Sequence, residues 1–108
     1  MYNSKISGLG MYVPENVVTN HDLSEMMDTS NEWIIERTGI EERRHIKKGD
    51  GNSTVTMGVK ASKIAIERAG IDKNDIDLIL FATLSPDYYF PGSGVLAQEQ
   101  LGIPTCPA

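Results

Sequence analysis

The residues with the clearest capacity for chemistry are a tryptophan and an arginine four positions apart, Trp33 and Arg37. Thr29 precedes them by the same interval, so on a short helix the three side chains lie along one face. An indole plane beside a guanidinium can hold a flat heteroaromatic ring by stacking and by cation–π attraction. The structural alternative is that Trp33 packs half-buried and Arg37 pairs with a neighbouring glutamate. The spacing alone leaves both interpretations open.

The single cysteine and the two histidines are the other candidates for reactive groups. A nucleophilic cysteine needs a helix N-terminus or a basic partner beside it. Cys106 is instead followed by Pro107, and we expect it to be a small buried apolar residue. His21 at a predicted helix start and His45 in a charged loop are expected to be solvated rather than catalytic.

A run of basic residues, 43–48, can attract phosphates or an acidic carrier protein. A charge run of this kind is usually a solvated loop, and Glu41 and Glu42 partly offset its charge. We therefore leave the run out of the predicted site.

The composition excludes several classes of protein. A length of 108 residues suits one small domain, and a net charge of −5 argues against a nucleic-acid partner. No apolar run approaches the roughly 18 residues needed to cross a bilayer. The first five residues lack the features of a signal peptide, and one cysteine cannot form an internal disulfide. These features predict a cytoplasmic protein without a membrane partner, and we assign no metal ligands.

The first forty residues predict one strand and two helices. Residues 5–13 read as a strand in which glycines allow close backbone approach. Thr19 and Asp22 form the pattern of a capping box, and the helix that follows should turn three side chains inward: Leu23, Met26 and Met27. A second short helix should begin at position 29 or 30, with Glu32 completing another capping box. It should end at Gly39.

The rest of the chain alternates helices with extended segments. Residues 41–52 read as a polar loop, and a helix should run from Ser53 to Gly70. This helix carries a stripe of small residues suited to close packing: Gly58, Ala61, Ala65 and Ala69. The continuous apolar run at 78–82 lies in a predicted strand, 76–83, which should be covered on both faces. A helix over 93–101, closed by Gly102, leads to an extended segment, 103–108.

This order is typical of a right-handed parallel α/β sheet. Two strands and the beginning of a third make a thin sheet with exposed edges. We therefore expect an incomplete α/β unit that stops as a new strand begins. The alternative is a small complete domain with a frayed terminus.

One segment is far from generic. Residues 28–43 closely resemble the signature near the N-terminus of β-ketoacyl-acyl carrier protein synthase III, the condensing enzyme that initiates bacterial fatty-acid synthesis. Other motifs resemble the same family in the same order along the chain: Gly8 to Gly10, Tyr12 to Glu15, Ser53 to Met57, Ala69 to Ile71, Phe81 to Thr83, Phe90 to Pro91, and Leu101 to Ile103.

The resemblance implies a fold and a reaction. The fold is the N-terminal part of a thiolase-like α/β fold, five-layered (αβαβα) and homodimeric in the complete enzyme. Residues 1–108 would form an incomplete first half, with the second half absent. The reaction moves an acyl group from coenzyme A to a cysteine, and malonyl-acyl carrier protein then attacks it. The catalytic cysteine, histidine and asparagine would all lie beyond Ala108, so the chain alone is expected to be inactive.

The resemblance also implies a substrate site and no cofactor other than acyl-CoA as substrate. The positions of Thr29, Trp33 and Arg37 match those that hold the adenine end of coenzyme A. Phe90 matches a residue that reaches across the dimer interface and limits the starter acyl group. For Phe90, packing on its own domain is the alternative.

Two other interpretations stay open. One is a non-catalytic module that binds coenzyme A or dimerises. The other is part of a related long-chain or secondary-metabolite condensing enzyme.

Overall fold

The computed structural model describes residues 3–108. Along the chain these residues form, in order, β1 (Val17–Thr19), α1 (Asn20–Met26), α2 (Asn31–Thr38), β2 (Glu42–Arg44), α3 (Thr54–Ala69), a 3-10 turn (Lys73–Asp75) and α4 (Ser93–Leu101). They divide into two compact units. The smaller unit is Val13–Asp50, and the larger one combines the residues up to Tyr12 with Gly51–Ala108. No helix in the described range is long and apolar enough to cross a membrane.

The smaller unit contains a pair of strands that its polar sequence did not indicate. β1 and β2 run antiparallel, with Val17 opposite Arg44 and Thr19 opposite Glu42. The polar and charged residues 41–52, read as a loop with an exposed turn at 48–52, contain that turn, but β2 within them was not predicted. Its three residues are charged and mostly exposed, so no apolar alternation marks them. Val18 on β1 is buried, as is Ile34 on α2.

Of the two helices in the smaller unit, α1 begins with the predicted capping box and α2 does not. The Asp22 amide donates to Thr19 Oγ1, and the Thr19 amide donates to Asp22 Oδ2 at 2.7 Å. At α2 the cap is Ser30, whose Oγ accepts from the Trp33 amide at 3.2 Å. The predicted box with Glu32 is wrong because the third helical residue after this cap is Trp33.

The helix ends give one confirmed prediction and one correction. Gly39 ends α2 in the left-handed region, with φ 69°, as predicted. The prediction that Met26 and Met27 point inward is wrong, since both are more than half exposed. The cause is the short length of α1, which ends at Met26 and leaves Met27 in an extended conformation.

The larger unit is organised around α3. Ser53 caps this helix and Gly70 ends it, as predicted. Its small-residue stripe receives the opening segment of the chain: a Cβ built on Gly10 would lie 2.7 Å from the Ala65 amide nitrogen. Residues 5–13 nevertheless form no strand. Gly8 and Gly10 lie against the backbone of α3, whereas a strand is defined by a ladder of backbone bonds to a neighbouring strand.

The apolar segment at 76–83 is covered on one side only. Phe81 packs on the core of α3 and α4, whereas Leu80 is 85% exposed. The prediction of a strand covered on both faces is wrong for the described chain, because these helices lie against a single face. Residues 76–83 and 103–108 also form no strand. One backbone bond joins them, from the Ile79 amide to the Pro107 carbonyl at 3.0 Å.

Candidate functional site

A surface cavity of about 470 Å³ opens where α1 ends and α2 begins. It is lined by five consecutive or nearly consecutive residues of the smaller unit: Met27, Asp28, Thr29, Ser30 and Trp33. Its wall combines an indole and a thioether with a carboxylate and hydroxyls. Such a wall offers an apolar surface for a flat ring and polar groups for the ring's edge.

The structure brings Trp33 and Arg37 together on α2. The Arg37 Cζ atom lies 5.0 Å from the centroid of the Trp33 ring, within the range of cation–π attraction. The indole is 53% exposed. Among the described residues no carboxylate forms an ion pair with Arg37. Trp33 and Arg37 therefore lie together as their spacing predicted, and Arg37 has no glutamate partner in the described chain. The half-buried indole agrees with the structural alternative, and the role of the pair in holding a ligand stays a prediction.

Thr29 does not share the helix face with these two residues. It precedes the Ser30 cap, so the prediction of three side chains on one helical face is wrong for Thr29. It still lines the cavity with Trp33. Thr29 and Trp33 therefore line the same cavity, and the Arg37 guanidinium lies over the Trp33 ring.

The distance between the Trp33 indole and the Arg37 guanidinium limits how a ligand can bind. A flat ring between indole and guanidinium needs them roughly 7 Å apart, two contacts of about 3.5 Å. The observed 5.0 Å is too short for that. A ligand ring must therefore stack on the other face of Trp33 or displace Arg37, whose side chain is exposed.

Asn20 holds α2, which carries Trp33 and Arg37, in place. Its side chain is 1% exposed. Nδ2 donates to Asn31 Oδ1 at 3.1 Å and to the Ile40 carbonyl at 2.8 Å. Oδ1 accepts from Arg43 Nη2 at 2.6 Å. One amide therefore joins the two ends of α2 to β2, and no local sequence pattern indicated this role.

The basic run 43–48 is partly committed to the fold. Arg43 binds Asn20 and the Val18 carbonyl, and Arg44 Nη1 donates to the carbonyls of Pro14 and Glu15. These bonds leave fewer guanidinium donors for a partner, whereas the side chains of Lys47 and Lys48 are exposed.

Phe90 lies in the larger unit, in the loop before α4. It is 91% exposed, and Tyr89 before it is 97% exposed. The alternative that Phe90 packs on its own domain is therefore not what the described chain shows. Its role as a pocket wall stays a prediction.

Asp87 connects the aromatic loop, residues 88–90, to the start of α3. Its Oδ2 accepts from Ser53 Oγ at 2.7 Å and from the Val55 amide at 2.9 Å, and its Oδ1 accepts from the Thr54 amide at 2.9 Å. Partial burial raises the pKa of the Asp87 carboxyl, but the bonds from Ser53, Val55 and Thr54 outweigh it and hold the pKa below its usual value. Sequence reasoning missed this contact because the partners lie more than thirty positions apart.

The side chains considered for acid–base or nucleophilic chemistry have ordinary surroundings. His21 is exposed, with Nε2 3.7 Å from Glu25 Oε1 on the same helix, and His45 is exposed. Cys106 is partly buried rather than buried. Its Sγ accepts from Gln98 Nε2 at 3.4 Å. Between residues 3 and 108 no group of three or more His, Cys, Asp or Glu side chains could hold a metal ion.

Replacing Gln98 with leucine is expected to make the Cys106 thiol react about fivefold faster with a disulfide reagent, the effect of losing about 1 kcal/mol of local stability. The reason is that Gln98 Nε2 also donates to the carbonyls of Pro104 at 2.9 Å and Cys106 at 3.2 Å. Thiol release is followed by absorbance. Gln100→Leu makes the same change at an exposed position of α4. Equal rates for the two variants would show that Gln98 does not restrain this segment.

Comparison with known proteins identifies the fold class. A solved structure of 3-oxoacyl-[acyl-carrier-protein] synthase III from Aquifex aeolicus superimposes with a TM-score of 0.90 at 42% identity, covering 98% of this chain and 33% of that one. The priming β-ketosynthase of the R1128 polyketide pathway superimposes with a TM-score of 0.86 at 32% identity, covering 96% and 32%. The chain thus has part of the fold of the thiolase-fold condensing enzymes.

Sequence similarity narrows this class. β-Ketoacyl-[acyl-carrier-protein] synthase III from Aliivibrio fischeri is 54% identical over 105 residues, which are 97% of this chain and 32% of that protein. No family model matches the chain. The chain is a homologue of β-ketoacyl-acyl carrier protein synthase III, and it spans about a third of the length of the curated relatives it matches.

Proposed function

We propose that the chain is the N-terminal part of a β-ketoacyl-acyl carrier protein synthase III, an acyltransferase of fatty-acid synthesis. The observation that carries the proposal is 54% identity to such a synthase over 97% of the chain. In the reaction an acyl group passes from acyl-CoA to a cysteine thiolate, which releases coenzyme A. Malonyl-acyl carrier protein then loses carbon dioxide, and its new carbanion attacks the thioester carbonyl. The carbon–sulfur bond breaks, which releases the cysteine thiolate and the β-ketoacyl product on the carrier protein.

The proposal assigns binding rather than bond-making to these 108 residues. The catalytic cysteine, histidine and asparagine belong to other parts of the whole protein. Acyl-CoA and malonyl-acyl carrier protein are the substrates, with no further cofactor. The whole protein is proposed to be a cytoplasmic homodimer in which exposed Phe90 reaches the partner and limits the acyl group.

Thr29, Trp33 and Arg37 are proposed to hold the adenine end of coenzyme A. The support is the cavity beside α2, whose wall includes Thr29 and Trp33, and the cation stacked on the indole. Adenine presents a π-face to the indole, and an arginine displaced from the ring can reach the ligand's phosphates. Among residues 3–108 no carboxylate pairs with Arg37, which leaves its guanidinium available to such a phosphate.

Steady-state kinetics of the complete gene product test this proposal. Because stacking of a base on an aromatic side chain contributes about 1–3 kcal/mol, Trp33→Ala is expected to raise the KM for acyl-CoA by about 5- to 150-fold. The kcat should change little, because the adenine is remote from the reacting thioester. Arg37→Gln should raise the same KM. Lys63→Gln removes a charge from an exposed position of α3 and should not.

The outcomes separate the reaction from the site. Formation of no β-ketoacyl product by the unmodified protein would contradict the proposed reaction. A normal product with an unchanged KM in Trp33→Ala would leave the reaction intact and show that the adenine binds elsewhere.

A second candidate function is the priming step of a polyketide pathway, favoured by the similarity to the R1128 priming β-ketosynthase. Both candidates use the same fold, so the carrier protein distinguishes them. Offering malonyl groups on a fatty-acid carrier protein and on a polyketide carrier protein, in separate assays, decides between them by which one yields product.

The non-catalytic alternative, a coenzyme A-binding module, is tested on the 108-residue chain. Trp33 is its only tryptophan, so quenching of its fluorescence reports binding at the cavity. Saturable quenching by coenzyme A, but not by pantetheine, would indicate recognition of the adenine end.

A further inference from the structure

We infer that Asp87 is a positioning residue for the acyl-binding role of Phe90, because its carboxylate fastens the aromatic loop to the N-terminus of α3. The aromatic loop is defined as residues 88–90. The inference deepens the proposed function, on which it rests for the role of Phe90. Nothing in the comparisons assigns a role to Asp87.

The attachment has several points. Both oxygens of Asp87 are used, with donors from the first turn of α3 at 2.7 to 2.9 Å. A fourth bond is donated from the same helix terminus, from Thr54 Oγ1 to the Ser85 carbonyl at 2.7 Å. The turn at 85–87 is therefore held at both ends by one helix terminus.

The N-terminus of α3 is fixed by packing in the core of the larger unit. Val55, which donates one of the bonds, is 2% exposed and belongs to the core shared by α3 and α4. The orphan amides of a helix N-terminus and its dipole favour a negatively charged acceptor. The bonds to the charged form also hold the pKa of Asp87 below its usual value, so the carboxylate is ionised at neutral pH.

The aromatic loop needs such an anchor because its side chains gain little from packing on this chain. Phe90 and Tyr89 are almost fully exposed. Phe90 lies three residues after Asp87 and three before Ser93, the first residue of α4. Three residues span at most roughly 10 Å, so the two attachments restrict where Phe90 can stand. Loosening the first attachment lets the ring move while the core stays intact.

Asp87→Asn is the sharpest variant, because it preserves the shape of the side chain. It removes the charge and replaces one acceptor oxygen with an NH₂ donor, which cannot accept from Ser53 or from an α3 amide. The matched control is Asp77→Asn, the same change at an exposed carboxylate of the larger unit.

The test is the ratio of kcat/KM for acetyl-CoA to that for hexanoyl-CoA in the complete gene product. If Phe90 limits the acyl group, Phe90→Ala should lower this ratio, and Asp87→Asn should lower it about tenfold, within the range that pocket contacts discriminate. Asp87→Asn should add little to Phe90→Ala, because both act through one ring. Asp77→Asn should leave the ratio unchanged. A uniform fall in activity for both substrates, or fully additive effects, would overturn the inference.

A second readout does not depend on activity. In Asp87→Asn the amides of Thr54 and Val55, which donate to the Asp87 carboxylate, should exchange hydrogen faster, while the rest of α3 keeps its protection. Unchanged exchange would overturn the anchoring itself. If the variant does not fold, Ser53→Ala removes one of the donors and should shift both readouts in the same direction by less. If the unmodified protein forms no product, the proposed function fails, and the exchange measurement still decides whether Asp87 holds the loop.

Discussion

Asn20→Ala is expected to lower the free energy of unfolding of the smaller unit by about 3 kcal/mol, since each buried group that loses its partner costs about 1–3 kcal/mol. The Asn20 side chain is 1% exposed and makes three bonds. Alanine would leave the Ile40 carbonyl and the Arg43 guanidinium without these contacts. The connection between α2 and β2 would weaken, and the wall of the cavity would become mobile.

Trp33 makes this measurement direct, because the only tryptophan of the chain lies on α2 in the affected unit. Urea unfolding followed by its fluorescence reports the smaller unit. Asn16→Ala makes the same change in the smaller unit, at a side chain that is not part of the Asn20 network, and should cost about 1 kcal/mol or less. If the two variants unfolded at the same urea concentration, the Asn20 network would not be the support of α2.

Gly10→Ala is expected to destabilise the larger unit by about 3 kcal/mol, at the upper end of the usual cost of overpacking. An added Cβ would lie 2.7 Å from the Ala65 amide nitrogen and would also meet the Ala61 carbonyl oxygen. These atoms belong to the backbone of α3 and cannot rotate away. Either the opening segment must move off the helix, or the helix must bend.

Thermal unfolding followed by circular dichroism at the helical band measures this effect, because α3 is the longest helix in the described chain. The control is Gly92→Ala, where an added Cβ meets nothing within 4 Å. Its cost should be limited to the preference of an N-cap for glycine over alanine, about 1 kcal/mol or less. A larger loss at Gly92 than at Gly10 would contradict close packing as the reason for the glycine.

Acidification should weaken the attachment of Asp87 in a defined direction. Its pKa in the folded state is lowered, with the raising effect of burial outweighed by hydrogen bonds. A lowered pKa contributes stability that is fully present above the unfolded value, about 3.9, and is lost as the pH falls through the folded value. Hydrogen exchange of the Thr54 amide should therefore accelerate, relative to the intrinsic rate, below about pH 4. The same pH step should have no such effect in Asp87→Asn.

The ends of the helices were predictable because their chemistry is local. Thr19 and Ser53 bond to amides three residues ahead, and Gly39 and Gly102 adopt the left-handed conformation that suits glycine. The residues needed for each cap lie within one turn of the chain. Sequence spacing was therefore sufficient at these four positions, although it did not decide between Thr29 and Ser30 as the cap of α2.

The strands were not predictable in the same way. β1 and β2 pair residues about 25 positions apart, and a three-residue charged strand has no period of its own. The run at 78–82 shows the opposite error. Its composition correctly marked apolar character, but coverage of a face depends on which elements lie against it. In the described chain that is one side only.

The contacts of the candidate site also divide into local ones, which the sequence predicted, and long-range ones, which it did not. The interval between Trp33 and Arg37 determined their stacking, because a helix places residues four apart on one face. Thr29 shows the limit, since the Ser30 cap starts the helix after it. The Asn20 support and the Asp87 anchor join residues from 11 to 34 positions apart. Such contacts exist only after the chain has folded, because their energy depends on burial and on geometry between distant segments, and neither is encoded in local spacing.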